Sequence, residues 1–79
     1  MKSKFIARVN VCKDKLVLES LKDNRTGEFK DKEYIKSRGV REFLDYNDMV
    51  ETLNWNLNGR TKACRVNERH AGYTVYIYD

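Results

Sequence analysis

The sequence predicts an α+β domain: a single antiparallel β-sheet of four to five strands, in the order β-β-(β)-α-β-β, with one helix packed on one face. Three observations carry this expectation. Phe5, Ala7, Val9 and Val11 fall at alternate positions early in the chain, the period of a strand with one buried face. Tyr73, Val75 and Ile77 repeat that pattern near its end. Between them Tyr46, Met49, Val50, Leu53 and Leu57 share one stripe at helical spacing.

Phe5–Val11 is the first strand, with Ile6, Arg8 and Asn10 on its other face. Lys13-Asp14-Lys15 is a polar turn, and Leu16–Leu21 is the second strand. Its facing stays open, because either Leu16 and Leu18 or Val17 and Leu21 could point inward. Asp23–Gly27 is a strong turn, since Asn tolerates and Gly favours positive φ. Glu28–Lys36 holds Phe29, Tyr34 and Ile35 among charges and reads as a third, edge strand, where Lys30 and Lys32 would discourage pairing with other chains. After Ser37-Arg38-Gly39, the segment Val40–Leu44 is either strand or the lead-in to a helix.

The helix is expected over Tyr46–Asn58. Asp45 or Asn47 can cap it, Asp48 and Glu51 suit the positive end of its dipole, and Asn58-Gly59 supplies the stop. Lys62–Asn67 and Tyr73–Tyr78 close the chain as a hairpin around a polar connection, Glu68–Gly72. The first and last strands have the cleanest apolar faces, which places both near the middle of the sheet.

At 79 residues the chain is one domain, spanning 1–79, and a chain of this size buries only roughly 60% of its unfolded surface. With 35% of residues charged, little apolar material is left to line a deep small-molecule pocket. The net charge of +4 is uneven: residues 1–38 hold eleven Lys and Arg against six Asp and Glu, and residues 39–79 hold five against six. The N-terminal excess could attract nucleic acid or an acidic protein, or simply keep the domain soluble. Cys12 and Cys64 belong to no metal-spaced pair and read as reduced thiols packed near the sheet. The start of the chain lacks the pattern of a secretory leader, and no apolar run has the length of a membrane span. Cytoplasmic localisation is expected.

Catalysis needs a nucleophile, base and orienting group, or a metal, converging in a cleft. His70 is the single histidine and falls in the hairpin connection, which favours a solvated turn residue over a general base. One histidine and two scattered cysteines are too few for a metal site, and the four glycines stand singly rather than in a phosphate loop. The acidic residues Glu42, Asp45, Asp48 and Glu51 follow helix-start rules. The expectation is a non-enzymatic protein with no cofactor.

Contact chemistry offers more. Strand alternation puts Thr74, Tyr76 and Tyr78 on the face away from the core, with Arg65 and Arg8, and extends to Lys4 and Ile6. Tyrosines among cations suit an interface, although tyrosine is also a good strand former that shields its cross-strand neighbours. Trp55 lies off the apolar stripe of the helix. It is either a contact anchor or a residue buried under the third strand or the Ser37–Leu44 segment, and burial carries the greater weight. The leading expectation is a small binding module that docks on a larger protein or nucleoprotein and modulates it, as accessory proteins of mobile elements do. Its contact residues would be Tyr76, Tyr78, Arg65, Arg8 and Trp55. The alternative is direct single-stranded RNA or DNA binding through the same face, helped by Lys13, Lys15, Arg25, Lys30 and Lys32. Self-association through an edge strand or the tyrosine face is a third reading.

Overall fold

The computed structural model describes residues 3–66 and 72–79, with the side chains of all of these except 63–66. One five-stranded sheet organises the chain, and every paired strand runs antiparallel to its neighbour. In chain order the elements are β1 (Phe5–Cys12), β2 (Lys15–Asp23), helix α1 (Lys32–Ser37), β3 (Glu42–Phe43), helix α2 (Tyr46–Asn56), β4 (Arg60–Val66) and β5 (Gly72–Tyr78). Across the sheet the order is β3-β2-β1-β5-β4, so the first and last long strands lie side by side in the middle, as their apolar faces predict.

One face of this sheet is dry. Phe5, Ala7 and Val9 of β1 and Val75 and Ile77 of β5 are buried, and Met49 and Leu53 of α2 pack over them with Leu57 just beyond the helix. Ile35 of α1, Val40 and Phe43 complete the same cluster. Both helices therefore serve one side of the sheet, and among the described residues no element covers the other side. No helix among the described residues is long and apolar enough to cross a membrane.

The open question about β2 has a simple answer. Leu16, Leu18 and Leu21 are all buried, which strict alternation forbids. The ladder pairs Val9 with Leu18 and Arg8 with Ser20, so Glu19 is an extra residue in a β-bulge. A bulge inverts the parity of everything after it. The facing of Leu16 and Leu18 holds before the bulge and that of Leu21 after it, while Val17, which precedes the bulge, does not join the core.

The third edge strand expected over Glu28–Lys36 is not there, and the single expected helix is joined by a second, short one. Only Phe29 bridges to Lys22, and the rest of the segment turns into α1. Asp31 caps that helix by accepting the Tyr34 N–H at 2.8 Å, with Glu33 in the first turn and Lys36 in the last. These cap and dipole signals were present in the sequence, but six residues are too few for a helical stripe to emerge. The edge-strand role for Lys30 and Lys32 falls with the strand. The third strand is instead Glu42–Phe43, inside Val40–Leu44, and it pairs with Leu16 and Val17.

Asp45, rather than Asn47, caps α2, accepting the Asp48 N–H at 2.8 Å. At the other end Asn58 takes φ 53°, and the Gly59 N–H reaches back to the Asn54 carbonyl at 3.0 Å, closing the helix in a Schellman turn. Gly59 is required for a second reason: a Cβ there would run into the carbonyl oxygen of Tyr78. The end of α2 is thereby pressed against β5. Since Leu53 is fully buried in this packing, Leu53→Ala is expected to lower stability by about 2–5 kcal/mol, read as a shift in the urea midpoint at unchanged slope.

Candidate functional site

The uncovered face of the sheet is built by register. Phe5, Ala7 and Val9 point to the core, so Ile6 and Arg8 point away. The same holds for Tyr76 and Tyr78 beside Val75 and Ile77, and both tyrosines are half-buried. Pairing then sets Lys22, Ile6, Tyr76 and Lys62 in one row across β2, β1, β5 and β4. Tyr78 lies opposite Arg60 one step further along. The Lys62 ammonium stands 5.7 Å from the centre of the Tyr78 ring, and Arg60 Nε donates to the main-chain oxygen of Asp79 at 3.2 Å. Arg8 is exposed and sits 3.6 Å from Glu19 Oε2, the carboxylate that the β2 bulge delivers. The arrangement is an aromatic centre with cations at both margins, able to stack on a planar or apolar group while holding anions at its rim.

Of the residues expected on this face, Tyr76, Tyr78 and Arg8 share it. Lys4 does not: its ammonium folds to the helix side, donating to the carbonyls of Leu57 and Asn58 at 3.2 and 3.4 Å and standing 3.6 Å from Asp79. The last turn of α2 has no basic residue of its own, and Lys4 supplies the cation that the carbonyl end of a helix favours. Arg65 falls at the irregularity between Cys64 and Val66, and the register already sets Lys62 and Cys64, of the other parity, opposite the outward Tyr76 and Thr74, so the alternation that assigned Arg65 to the outer face does not hold. Its side chain, that of Cys64, and His70 lie outside the described residues. Cys12 is a free thiol, exposed at the end of β1 rather than packed near the sheet.

Trp55 is not buried. Neither α1 nor the Ser37–Leu44 segment crosses it, because both are drawn into the core on the far side of α2, and it is 84% exposed. It belongs to the helix side, so it does not share a face with Tyr76. Arg60 links the two surfaces. It lines an open depression with Thr61, Lys62 and Tyr78, and another with Asn54, Trp55, Asn58, Gly59 and Asp79. The surface thus wraps around the start of β4.

The five cations of the nucleic-acid alternative are not gathered on the tyrosine face. Lys13 and Lys15 sit at the β1–β2 turn, while Arg25, Lys30 and Lys32 lie beyond the other end of the hairpin, an eight-residue strand away, roughly 23 Å. Three are engaged by carboxylates: Lys15 with Glu42 at 3.1 Å, Arg25 with Asp23 at 3.5 Å, and Lys30 with Asp23 at 3.9 Å. Lys30 and Arg38 also flank the Tyr34 ring, 4.9 and 5.1 Å from its centre. Asp23 itself is buried, and the Arg25 main-chain N–H donates to it at 2.9 Å. That hydrogen bond, helped by the Arg25 guanidinium and the Lys30 charge, holds its carboxyl below the usual aspartate range despite the opposing effect of burial.

Lys22, Arg60 and Lys62 are the cations of this face that alternation did not single out. Arg60 is missed because the strand begins two residues before the expected Lys62, and Lys62 because the facing that puts Arg65 outward is opposite to the register, which sets Lys62 against Tyr76. Lys22 is missed because its parity depends on the bulge. Comparison with protein-family models, curated proteins and solved structures finds no match.

Two expectations follow from these geometries. A depressed folded-state pKa means that Asp23 stabilises the fold above the ordinary aspartate value, about pH 4. That contribution disappears as pH falls through the lower folded value. The urea midpoint of the wild type should therefore fall more steeply on acidification than that of Asp23→Asn, and equal slopes would refute the assignment. Trp55 is the single tryptophan, so native fluorescence should already resemble that of the unfolded chain and be readily quenched by iodide. A blue-shifted, protected emission would contradict its exposure.

Proposed function

We propose that the protein is a small non-catalytic binding module that docks on a larger protein or nucleoprotein and modulates it. The observation that carries this reading is the row Lys22, Ile6, Tyr76 and Lys62 on a sheet face that no described element covers. Half-buried tyrosine at the centre of this surface supplies area at little conformational cost, the property that enriches tyrosine in interfaces. Exposed Trp55 extends the contact surface around β4. The free thiol at Cys12 suits a reducing compartment such as the cytoplasm.

A second reading, direct binding of single-stranded nucleic acid, draws support from the two lysines that bracket Tyr76 in the row. Bases would stack on Tyr76 and Tyr78 while Lys22, Arg60 and Lys62 hold phosphates.

Tyr76→Ala is expected to abolish partner binding while lowering stability by no more than about 1 kcal/mol, the scale of a cross-strand pair. Loss of folding in that variant would make Tyr76 structural and end the assignment. Salt separates the two readings in an anisotropy titration with labelled single-stranded oligonucleotides. Three phosphate contacts give a logarithmic salt slope of roughly −2, whereas an aromatic-anchored protein contact responds far less. Absence of binding to any oligonucleotide would leave the protein partner as the reading to pursue.

A further inference from the structure

The two edges of the sheet are finished differently. On the β2 side the outward main-chain groups are taken one after another. Leu16 and Val17 pair with β3. The Leu18 N–H donates to the Arg41 carbonyl at 2.8 Å, and the Arg41 guanidinium donates back to the Leu18 carbonyl at 3.1 Å. Further along, the Lys30 N–H reaches the Leu21 carbonyl at 2.7 Å and the Asp23 N–H reaches the Glu28 carbonyl at 2.8 Å. An unpaired strand edge is a template for another chain, and this one is closed by the protein's own loops.

β4 is the last strand on the opposite side. Its Thr61 N–H turns away from β5 and donates to Asn54 Oδ1 of α2 at 2.7 Å. Main-chain groups alternate in direction along a strand, so the N–H and carbonyl of Ala63 also face outward. Among the described residues no strand lies beyond them.

We propose that the β4 edge receives an extended acidic segment of a partner protein as an added strand. This rests on the reading of the chain as a binding module and gives it a partner class and a mode of attachment. Main-chain pairing of this kind demands N–H and carbonyl groups alternating along the backbone of the ligand, which an extended peptide offers and a sugar–phosphate backbone does not. Charge selects the peptide. Arg60 and Lys62, two residues apart, stand exposed on the open-face side of the edge, and neither is within ion-pair distance of a side-chain carboxylate among the described residues. A neighbouring strand presents its alternate residues to them, so carboxylates two residues apart would meet both cations. A second copy pairing antiparallel through this segment would set the same cations against each other, which disfavours self-association. On the helix side of the edge, exposed Trp55 and Arg60 share a depression of about 510 Å³. The residue between the two acidic ones would lie opposite Thr61 and take the place of Asn54 Oδ1 on its N–H, and an apolar side chain there would point to the helix side, toward Trp55.

The test uses a blocked, labelled peptide alternating glutamate and valine, with a lysine–valine peptide and an oligothymidylate as controls. Anisotropy should show binding of the acidic peptide alone, and amide exchange should slow at Ala63. Ala63→Pro removes the outward N–H at a position where an edge strand tolerates proline, and should weaken the acidic peptide by roughly tenfold. Should that variant not fold, Lys62→Glu keeps the main chain intact and changes only an exposed side chain. It should lose the acidic peptide and gain the lysine–valine one. The proposal is overturned if the wild type does not bind the acidic peptide, binds it without protecting Ala63, or binds either control equally well. Acidic-peptide binding that is lost in Tyr76→Ala but unchanged in Ala63→Pro and Lys62→Glu would retain the module and remove the edge as its site.

Discussion

Phe5, Ala7 and Val9 are buried on one face of a strand that is paired along both edges, and the remainder of the molecule is arranged around that row. A one-residue slip in either ladder would turn the neighbouring strand's apolar side chains to water, so burial on the inner face pins the register. The outer face inherits it. Tyr76 stands opposite Ile6, and Thr74 opposite Arg8, because Val75 and Ile77 must meet the core. The candidate contact surface is thus the reverse side of the packing problem that β1 solves.

Size explains why that surface is bare. The chain has apolar residues for one core layer, and both helices are spent on it, leaving the second face of the sheet to polar and aromatic side chains. Gly59 then couples the two sides. With no Cβ it lets the chain leaving α2 pass against the Tyr78 carbonyl, which brings Trp55 and Arg60 to one rim of the sheet. Lys4 holds the same junction from below through the Leu57 and Asn58 carbonyls. A helix end, a strand edge and the last residues of the chain meet there.

Much of the architecture was legible in the residues. The strand periods of Phe5–Val11 and Tyr73–Ile77, the stripe from Met49 to Leu57 and the stop at Asn58-Gly59 are local patterns, and each element formed where its pattern lies. The site was legible only in part. Tyr76, Tyr78 and Arg8 share a face because parity is a local rule, and it holds wherever a strand is regular. It fails at a bulge, which is why the inward set of β2 and the placement of Arg65 could not be read from alternation.

What the sequence by itself determined, then, is the two middle strands with the face each buries, and the helix α2 with its stop at Asn58-Gly59. These follow from the spacing of side chains along a single segment. The tertiary structure alone decided the exposure of Trp55, the conversion of Lys32–Ser37 from expected strand to helix, the pairing of Lys22 and Lys62 to either side of Tyr76, and the contrast between a closed β2 edge and an open β4 edge. Each of these depends on which distant segments come together, and no periodicity within one segment encodes that.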